Sequence, residues 1–222
     1  IELLRSNFPL QINHVWHEDK GWRKNKILNE AIRVANSDLL IFVDGDCIPH
    51  SKFIEEHINH SELNVCNTGR RVNLSDKITG LLTEDKIKSG WLEKNTFNLI
   101  LDGITGNSVD VEKGFYFRNK LIRNFLNKKQ RGLLGCNFSI HKNDFLSING
   151  FDERYKAPSI GEDSDVQFRL ELKGIKIRSL NNIAVQYHLY HKLLPRPEEN
   201  LKLFEQVKKE KEAYTPFGIN RQ

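Results

Sequence analysis

The feature that most constrains the fold is a run of five large apolar residues, Leu39 to Val43, that leads directly into Asp44-Gly45-Asp46. Turn-forming residues bound the run, with Asn36-Ser37-Asp38 before it and Pro49 after it. A continuous apolar run of this length predicts a strand buried on both faces, as in a parallel sheet. Because open α/β sheets bind ligands beyond the carboxyl ends of their strands, we expect a ligand site at the two carboxylates.

Two Asp separated by one small residue leave oxygens free to bind Mg²⁺ or Mn²⁺ together with phosphate oxygens. The alternative is a strand-ending turn that binds nothing, since Asp and Gly are ordinary turn formers.

Composition narrows the class of protein. The chain has 222 residues, enough for one sizeable core, and no apolar stretch of membrane-spanning length. Lys and Arg number 34 against 29 Asp and Glu, which suits a phosphate-bearing ligand or an anionic surface without requiring nucleic acid. The three cysteines have no CxxC spacing, so we expect neither a disulfide framework nor a structural zinc site, and we expect a cytoplasmic location.

Periodicity predicts strands alternating with helices, the order of an α/β sheet. The first elements are a strand at Leu10–Trp16, a helix at Lys20–Ala35 and the strand after it. The later predicted elements are a short helix after the N-cap Ser51, a strand at 63–72, a variable insertion at 75–131, a strand at 134–140, a helix at 142–148, a helix from 162, strands at 175–178 and 183–187, and a helix at 198–214.

Two further clusters lie at predicted element ends. Glu162 and Asp163 begin a helix, and His188 and His191 follow a strand. Together with the Asp pair they could supply metal ligands and a separate general base. Helix capping by the acidic residues and surface exposure of the imidazoles are the alternatives.

These motifs resemble those of a known family. Val43–Pro49 resembles the DxD motif of family 2 GT-A glycosyltransferases, and Lys20–Asn25 is similar to their donor-contacting helix start. Phe145–Phe151, followed by Gly161-Glu162-Asp163, resembles the acceptor region of β1,4-galactosyltransferases and of bacterial chondroitin-type polymerases. Tyr187-His188 resembles the metal-binding His of those polymerases. The resemblance extends from about Leu10 to His191.

The resemblance implies an α/β fold, a GT-A (Rossmann-like) nucleotide-sugar-binding sheet with flanking helices. It also implies that an N-terminal strand is missing from the given chain, which starts at Ile1 and contains no Met. Residues 1–222 would then form one truncated domain. Its parts would be a nucleotide-sugar half with the DxD motif (1–72), a variable insertion (73–132) and an acceptor and catalytic-base half (133–222).

The resemblance also implies roles for individual residues. Asp44 would contact the ribose side of the donor, and Asp46 would bind Mn²⁺ or Mg²⁺ between the phosphates. Asp163 would be the base, and Glu162 would hold the acceptor hydroxyl or orient Asp163. The remaining expected residues are His188 as the metal ligand, His191 as the reserve ligand, and Arg23 and Lys26 as donor-binding cations.

The implied activity is inverting transfer of a hexose or N-acetylhexosamine from a nucleotide sugar, with UDP the expected nucleotide. The implied acceptor is a glycan or a lipid-linked glycan of bacterial surface polysaccharide synthesis. Basic and apolar residues interleave over 113–131, which suggests peripheral contact with the anionic inner face of the cell membrane. The alternative is a solvated basic helix whose apolar side belongs to the core.

Two other functions fit part of the sequence. In a haloacid-dehalogenase-type phosphatase, Asp44 and Asp46 would be nucleophile and general acid, although the other residues of that site cannot be placed. A non-catalytic sugar-binding domain would keep the fold without turnover, but it has little need for a base beside a metal site.

Overall fold

The computed structural model describes residues 11–128, 132–158, 162–192 and 198–220. The chain forms two compact units. The sheet unit comprises Leu39–Asp144 and Gly174–Leu194, and the helical unit comprises Ile1–Asp38, Phe145–Lys173 and Pro195–Gln222. The predicted division of the chain at residues 72 and 132 stays a prediction.

The strands are β1 (Leu39–Val43), β2 (Cys47–Pro49), β3 (Val65–Thr68), β4 (Arg70–Asn73), β5 (Asn137–His141), β6 (Lys176–Ser179) and β7 (Val185–His188). The helices are α1 (Lys24–Val34), α2 (Phe53–Asn59), α3 (Asp76–Leu81), α4 (Glu84–Lys88), α5 (Trp91–Lys94), α6 (Thr96–Ile104), α7 (Lys120–Leu126), α8 (Lys142–Leu146), α9 (Asp163–Leu172) and α10 (Glu198–Glu210), with a 3₁₀ turn at Val111–Gly114.

The sheet unit contains two β-sheets. The main sheet has the order β1-β5-β3-β6, in which β5 is antiparallel to both neighbours and β3 is parallel to β6. The small sheet has the order β2-β7-β4, with β7 antiparallel to β2 and parallel to β4. The predicted α/β class is therefore confirmed, with mixed rather than purely parallel pairing.

The N-terminal strand prediction is wrong where the structure describes it. Residues 11–20 contain no strand, and Leu10 lies outside the described residues. The following helix begins at Lys24, four residues later than predicted. Gly21, at a φ of 81°, adopts a left-handed conformation that cannot belong to an α-helix.

Strand β1 is confirmed, but its expected burial on both faces is wrong. Only Leu40 is buried, and Val43 is 39% exposed. Among the described strands β1 has one neighbour, β5, so its other edge is not covered by a further strand. The predicted strand at 63–72 is instead two strands, β3 and β4, because the chain passes from one sheet to the other at Gly69. A Cβ at Gly69 would lie 2.5 Å from the carbonyl oxygen of Ala184, so only glycine fits there.

The insertion packs on the small sheet. Its Ile78, Leu92 and Leu99 join a core with Val72 and Tyr187. The interpretation of the basic segment as a helix with a buried apolar side is wrong for α7, because no residue of that helix is buried. Within the described ranges, no helix is long and apolar enough to cross a membrane.

Candidate active site

The Asp-Gly-Asp motif forms the turn between the two sheets. The backbone N–H of Cys47 donates to the carbonyl of Asp44 at 3.1 Å, which closes a tight turn between β1 and β2. The carbonyl of Asp46 accepts a hydrogen bond from the N–H of Leu189 at 2.9 Å. The motif is therefore attached directly after β7, which ends at His188, and two residues before His191.

Strand register decides which side chains face the motif. Cys47 pairs with His188 across β2 and β7, and Asn73 pairs with His188 across β4 and β7. Paired residues project to the same face of a sheet, and successive residues alternate between faces. Cys47, His188, Asn73 and Arg71 therefore share one face, while Tyr187 projects into the core on the other.

Three ligand atoms converge on that face. The Oδ2 atom of Asp46 lies 3.3 Å from Nε2 of His188 and 3.4 Å from Nε2 of His191. The two Nε2 atoms are 3.3 Å apart. Atoms bound at about 2.1 Å to one tetrahedral or octahedral ion lie about 3.0–3.4 Å from each other. The three side chains are thus spaced as one face of a coordination polyhedron.

The surroundings of both imidazoles suit a metal ligand. Burial lowers the pKa of His188, and the nearby charge of Arg71 lowers it further, so the ring is neutral at neutral pH. Nδ1 of His191 lies 3.0 Å from the carbonyl of Lys192. As a donor to that carbonyl, Nδ1 carries the proton, which leaves the lone pair of Nε2 directed at Asp46.

The residues present therefore fit a divalent ion. The carboxylate of Asp46 and the imidazoles of His188 and His191 would hold it. Two nitrogen ligands favour a transition ion such as Mn²⁺ over Mg²⁺, which prefers oxygen ligands.

Sequence reasoning missed two neighbours of this cluster. The thiol of Cys47 donates to Oδ1 of Asp46 at 3.5 Å, and the ligand atoms of Asp46, Cys47 and His188 all lie within 4.8 Å of one another. Cys47 directly follows Asp46 in the sequence, and this position could have indicated that Cys47 is one of the neighbours.

Arg71, the second neighbour, belongs to no sequence motif. Its position beside the cluster follows only from the register of β4 and β7. Its Nε donates to Oδ1 of Asn73 at 3.1 Å and its Nη1 to the sulfur of Cys136 at 3.3 Å. A hydrogen bond from Cys47 and the charge of Arg71 lower the pKa of Cys136. Within the described residues Arg71 has no carboxylate within 4 Å, so a cation is available beside the cluster.

The acidic pair lies in the helical unit. Asp163 is the first residue of α9, and its Oδ1 accepts from the N–H of Ser164 at 2.9 Å. Glu162, just before it, forms an ion pair with Lys24 at 2.6 Å. Arg23, directly before α1, donates to the carbonyl of Glu18.

A buried ion pair fixes the helix that carries Asp163. Arg169 donates from Nε and Nη2 to Oδ2 of Asp165 at 2.7 and 2.6 Å. It also donates to the carbonyls of Ile148 and Gly150 at 2.7 and 2.9 Å. The predicted helix stop at Asn149-Gly150 is confirmed by φ values of 64° and 72°. The Phe145–Phe151 motif thus forms a turn held by α9.

The predicted site residues therefore fall into two groups. Asp44, Asp46, His188 and His191 lie in the sheet unit, and the last three contact one another. Glu162, Asp163, Arg23 and Lys26 lie in the helical unit.

Comparison with known families supports the resemblance. Residues 122–192 match the family described as the N-terminal domain of galactosyltransferase. Residues 7–126, more than half of the chain, match Glycosyl transferase family 2. No match was found among curated proteins. The chain belongs to glycosyltransferase family 2 and is a glycosyltransferase with a mixed α/β fold of the GT-A type.

Proposed function

We propose that the chain is a metal-dependent inverting glycosyltransferase that uses a nucleotide sugar. The donor would carry a hexose or N-acetylhexosamine, and its nucleotide would be UDP, as the family resemblance implies. The observation that carries the proposal is the convergence of Asp46, His188 and His191 at 3.3–3.4 Å. Enzymes of family 2 commonly use divalent metal ions.

The sheet unit would bind the donor. Asp46, His188 and His191 would hold a divalent ion, whose positive charge would stabilise the departing diphosphate. Asp44 is half-buried in the same turn and would accept hydrogen bonds from the ribose. Arg71, on the same sheet face as His188, would bind a phosphate oxygen, because no carboxylate among the described residues pairs with this half-buried guanidinium and an anion would stabilise it. Arg23 and Lys26 stay proposed donor contacts.

Asp163 would act as the general base. An acceptor hydroxyl is a weak nucleophile near neutral pH, so a carboxylate within hydrogen-bond reach removes its proton during attack. The acceptor oxygen bonds to the anomeric carbon, the bond from that carbon to the phosphate oxygen breaks, and the proton moves to Asp163. One displacement inverts the anomeric centre. The ion pair with Lys24 gives Glu162 an orienting role rather than a second proton-accepting one.

The acceptor would be a glycan or a lipid-linked glycan in bacterial surface polysaccharide synthesis, made at the cytoplasmic side of the membrane. Helix α7 supports peripheral membrane contact. Leu121 and Phe125 are 78% and 69% exposed on this helix, beside the basic residues Lys120 and Lys128. Exposed apolar side chains flanked by lysines are typical of helices that rest on an anionic bilayer. Lys129 and Arg131, which the sequence places in the same basic segment, lie outside the described residues.

A panel of nucleotide sugars, scored by Mn²⁺-dependent nucleotide release, tests donor and class together. We expect Asp46→Ala to lose nearly all turnover while remaining folded, and the exposed Asp38→Asn to serve as the unchanged control. Undiminished metal-independent transfer by Asp46→Ala would overturn the metal assignment.

Asp163→Asn tests the base. An amide keeps the shape of the carboxylate but cannot accept the proton at useful strength, so donor affinity should survive while transfer is lost. Equal loss of donor affinity and turnover would instead place Asp163 in the donor site. Binding of a nucleotide sugar without turnover under any acceptor or hydrolytic condition would favour the sugar-binding alternative.

A further inference from the structure

A cavity separate from the metal cluster lies in the sheet unit, where α7 faces strand β6. Its volume is about 650 Å³. Among its lining residues are five cationic side chains and one imidazole, namely Lys120, Arg123, Lys128, Lys176, Arg178 and His60. Nothing in the proposed transfer reaction uses this cavity.

The two arginines of the cavity are held by carboxylates. Arg123 donates to both oxygens of Glu56 at 2.6 and 3.2 Å. Arg178 pairs with Glu62 and donates to the carbonyl of His60 at 3.2 Å. Both guanidinium groups are therefore positioned before any ligand arrives, and each charge is largely balanced.

The three lysines are not balanced in this way. Across the ranges that the structure describes, no carboxylate lies within 4 Å of the amino group of Lys120, Lys128 or Lys176. The amino nitrogen of Lys128 lies 5.3 Å from the centroid of the Phe125 ring. Because like charges in one concave site repel one another, this cavity is stabilised by an anion.

Helix α7, which supplies two of the five cationic side chains, also presents an apolar surface. Leu121 and Phe125 alternate on α7 with the residues that line the cavity, and both are mostly exposed. A free nucleotide or an acidic glycan would use the cations but would leave these apolar side chains in water. An amphiphile with a phosphate head and a hydrocarbon chain matches both features at once.

We propose that this cavity binds the phosphate head of an amphiphile, with the hydrocarbon chain lying along the exposed side of α7. The source of that head is either the lipid carrier of the acceptor or a bilayer phospholipid. The first source deepens the proposed function and rests on it, since it makes the acceptor lipid-linked.

The distance to the metal cluster is compatible with one acceptor occupying both sites. Ile183 lines the cavity, and His188 belongs to the metal cluster. Five residues span at most about 17 Å when fully extended. A phosphate in the cavity and a hydroxyl at the metal cluster can therefore belong to the same molecule.

Calorimetric titration in the presence of EDTA tests the proposal, because EDTA removes divalent ions and so prevents metal-dependent donor binding. The probes are farnesyl diphosphate, dihexanoyl phosphatidylglycerol and inorganic pyrophosphate. We expect the unmodified protein to bind at least one of the two amphiphiles more tightly than pyrophosphate. The double variant Lys128→Gln/Lys176→Gln should bind that amphiphile at least tenfold more weakly. The charge-matched control Lys77→Gln/Lys173→Gln replaces exposed lysines outside the cavity and should bind normally.

The relative affinities for these probes distinguish the possible ligands of the cavity. Tighter binding of farnesyl diphosphate than of the phospholipid identifies a lipid carrier, and the reverse order identifies the bilayer. Leu121→Ser should weaken amphiphile binding and leave pyrophosphate binding unchanged. Equal affinity of the cavity and control variants, or tighter binding of pyrophosphate than of both amphiphiles, overturns the proposal.

The proposed transfer reaction is tested separately in the same variants. UDP binding in Mn²⁺ should be unaffected by Lys128→Gln/Lys176→Gln, since these lysines lie outside the metal cluster. If Mn²⁺-dependent UDP binding is absent while amphiphile binding remains, the donor proposal fails and the cavity proposal stands.

Discussion

The two histidines beside Asp46 should contribute unequally to metal affinity. His188 is 7% exposed and ends β7, which is hydrogen-bonded to β2 and β4 on its two sides. His191 lies beyond the strand, its side chain is 46% exposed, and one contact with the Lys192 carbonyl orients its ring. His188 is therefore ordered before the ion binds, and His191 has to become ordered.

The size of the difference follows from this ordering. Immobilising a side chain on binding opposes association by about 0.5–1.5 kcal/mol. His191→Ala removes a ligand together with that ordering penalty, whereas His188→Ala removes a ligand that carries almost none. We expect His188→Ala to weaken Mn²⁺ binding about fivefold more than His191→Ala, which corresponds to about 1 kcal/mol. Each substitution should reduce Mn²⁺ affinity at least as much as the roughly 10- to 100-fold reduction that is typical when a residue that merely orients a ligand is removed.

Titration of free Mn²⁺ by electron paramagnetic resonance measures both affinities directly. The exposed His14→Ala controls for loss of an imidazole elsewhere. Equal effects of the two substitutions, or a larger effect of His191→Ala, would refute the argument from ordering. Unchanged affinity in Asp46→Asn would refute the whole cluster as a metal site.

Three further predictions concern His57 of α2, Arg169 in the helical unit and Arg71 beside the metal cluster. Burial lowers the pKa of His57 to about 4, below the usual 6.5, so the unfolded chain binds more protons between these values. His57 should therefore lower the free energy of unfolding by about 3 kcal/mol between pH 7 and pH 4, and urea titrations of His57→Gln should show a decrease smaller by that amount. Arg169→Met leaves the fully buried Asp165 unpaired and should lower the free energy of unfolding by about 3–5 kcal/mol. Adding Asp165→Leu should recover part of this loss. A loss below about 1 kcal/mol would contradict the anchoring role of Arg169. Arg71→Met should raise the KM for the nucleotide sugar about tenfold, while Arg70→Met, on the opposite face of β4, should leave it unchanged.

The sequence predicted elements whose signals are local. The run Leu39–Val43 is a strand because its apolar, mostly branched side chains fit a sheet, and Asp44-Gly45 can turn after it. The helix at Asp163 begins with acidic residues that suit the helix dipole, and it ends before Gly174. Boundaries differ from prediction by a few residues at most in these cases.

The missed features depend on long-range pairing. Residues Gln11–Trp16 alternate in polarity, but alternation does not supply a partner strand, and no described strand pairs with them. The antiparallel β5 between β1 and β3 has no signature in its own residues. Arg71 could not be selected from the sequence, because its position beside His188 follows from the pairing of β4 with β7.

The small sheet couples the core to the metal cluster through one strand of four residues. Tyr187 of β7 is 1% exposed in the core with Val72, while the next residue, His188, faces Asp46. A shift of the β2–β7 pairing by one residue would exchange these two faces, burying the imidazole and exposing the aromatic ring. The apolar contacts of Tyr187 therefore hold the register that directs His188 towards Asp46. A substitution at Tyr187 that weakens core packing should accordingly reduce metal affinity, although Tyr187 itself offers no ligand to the ion.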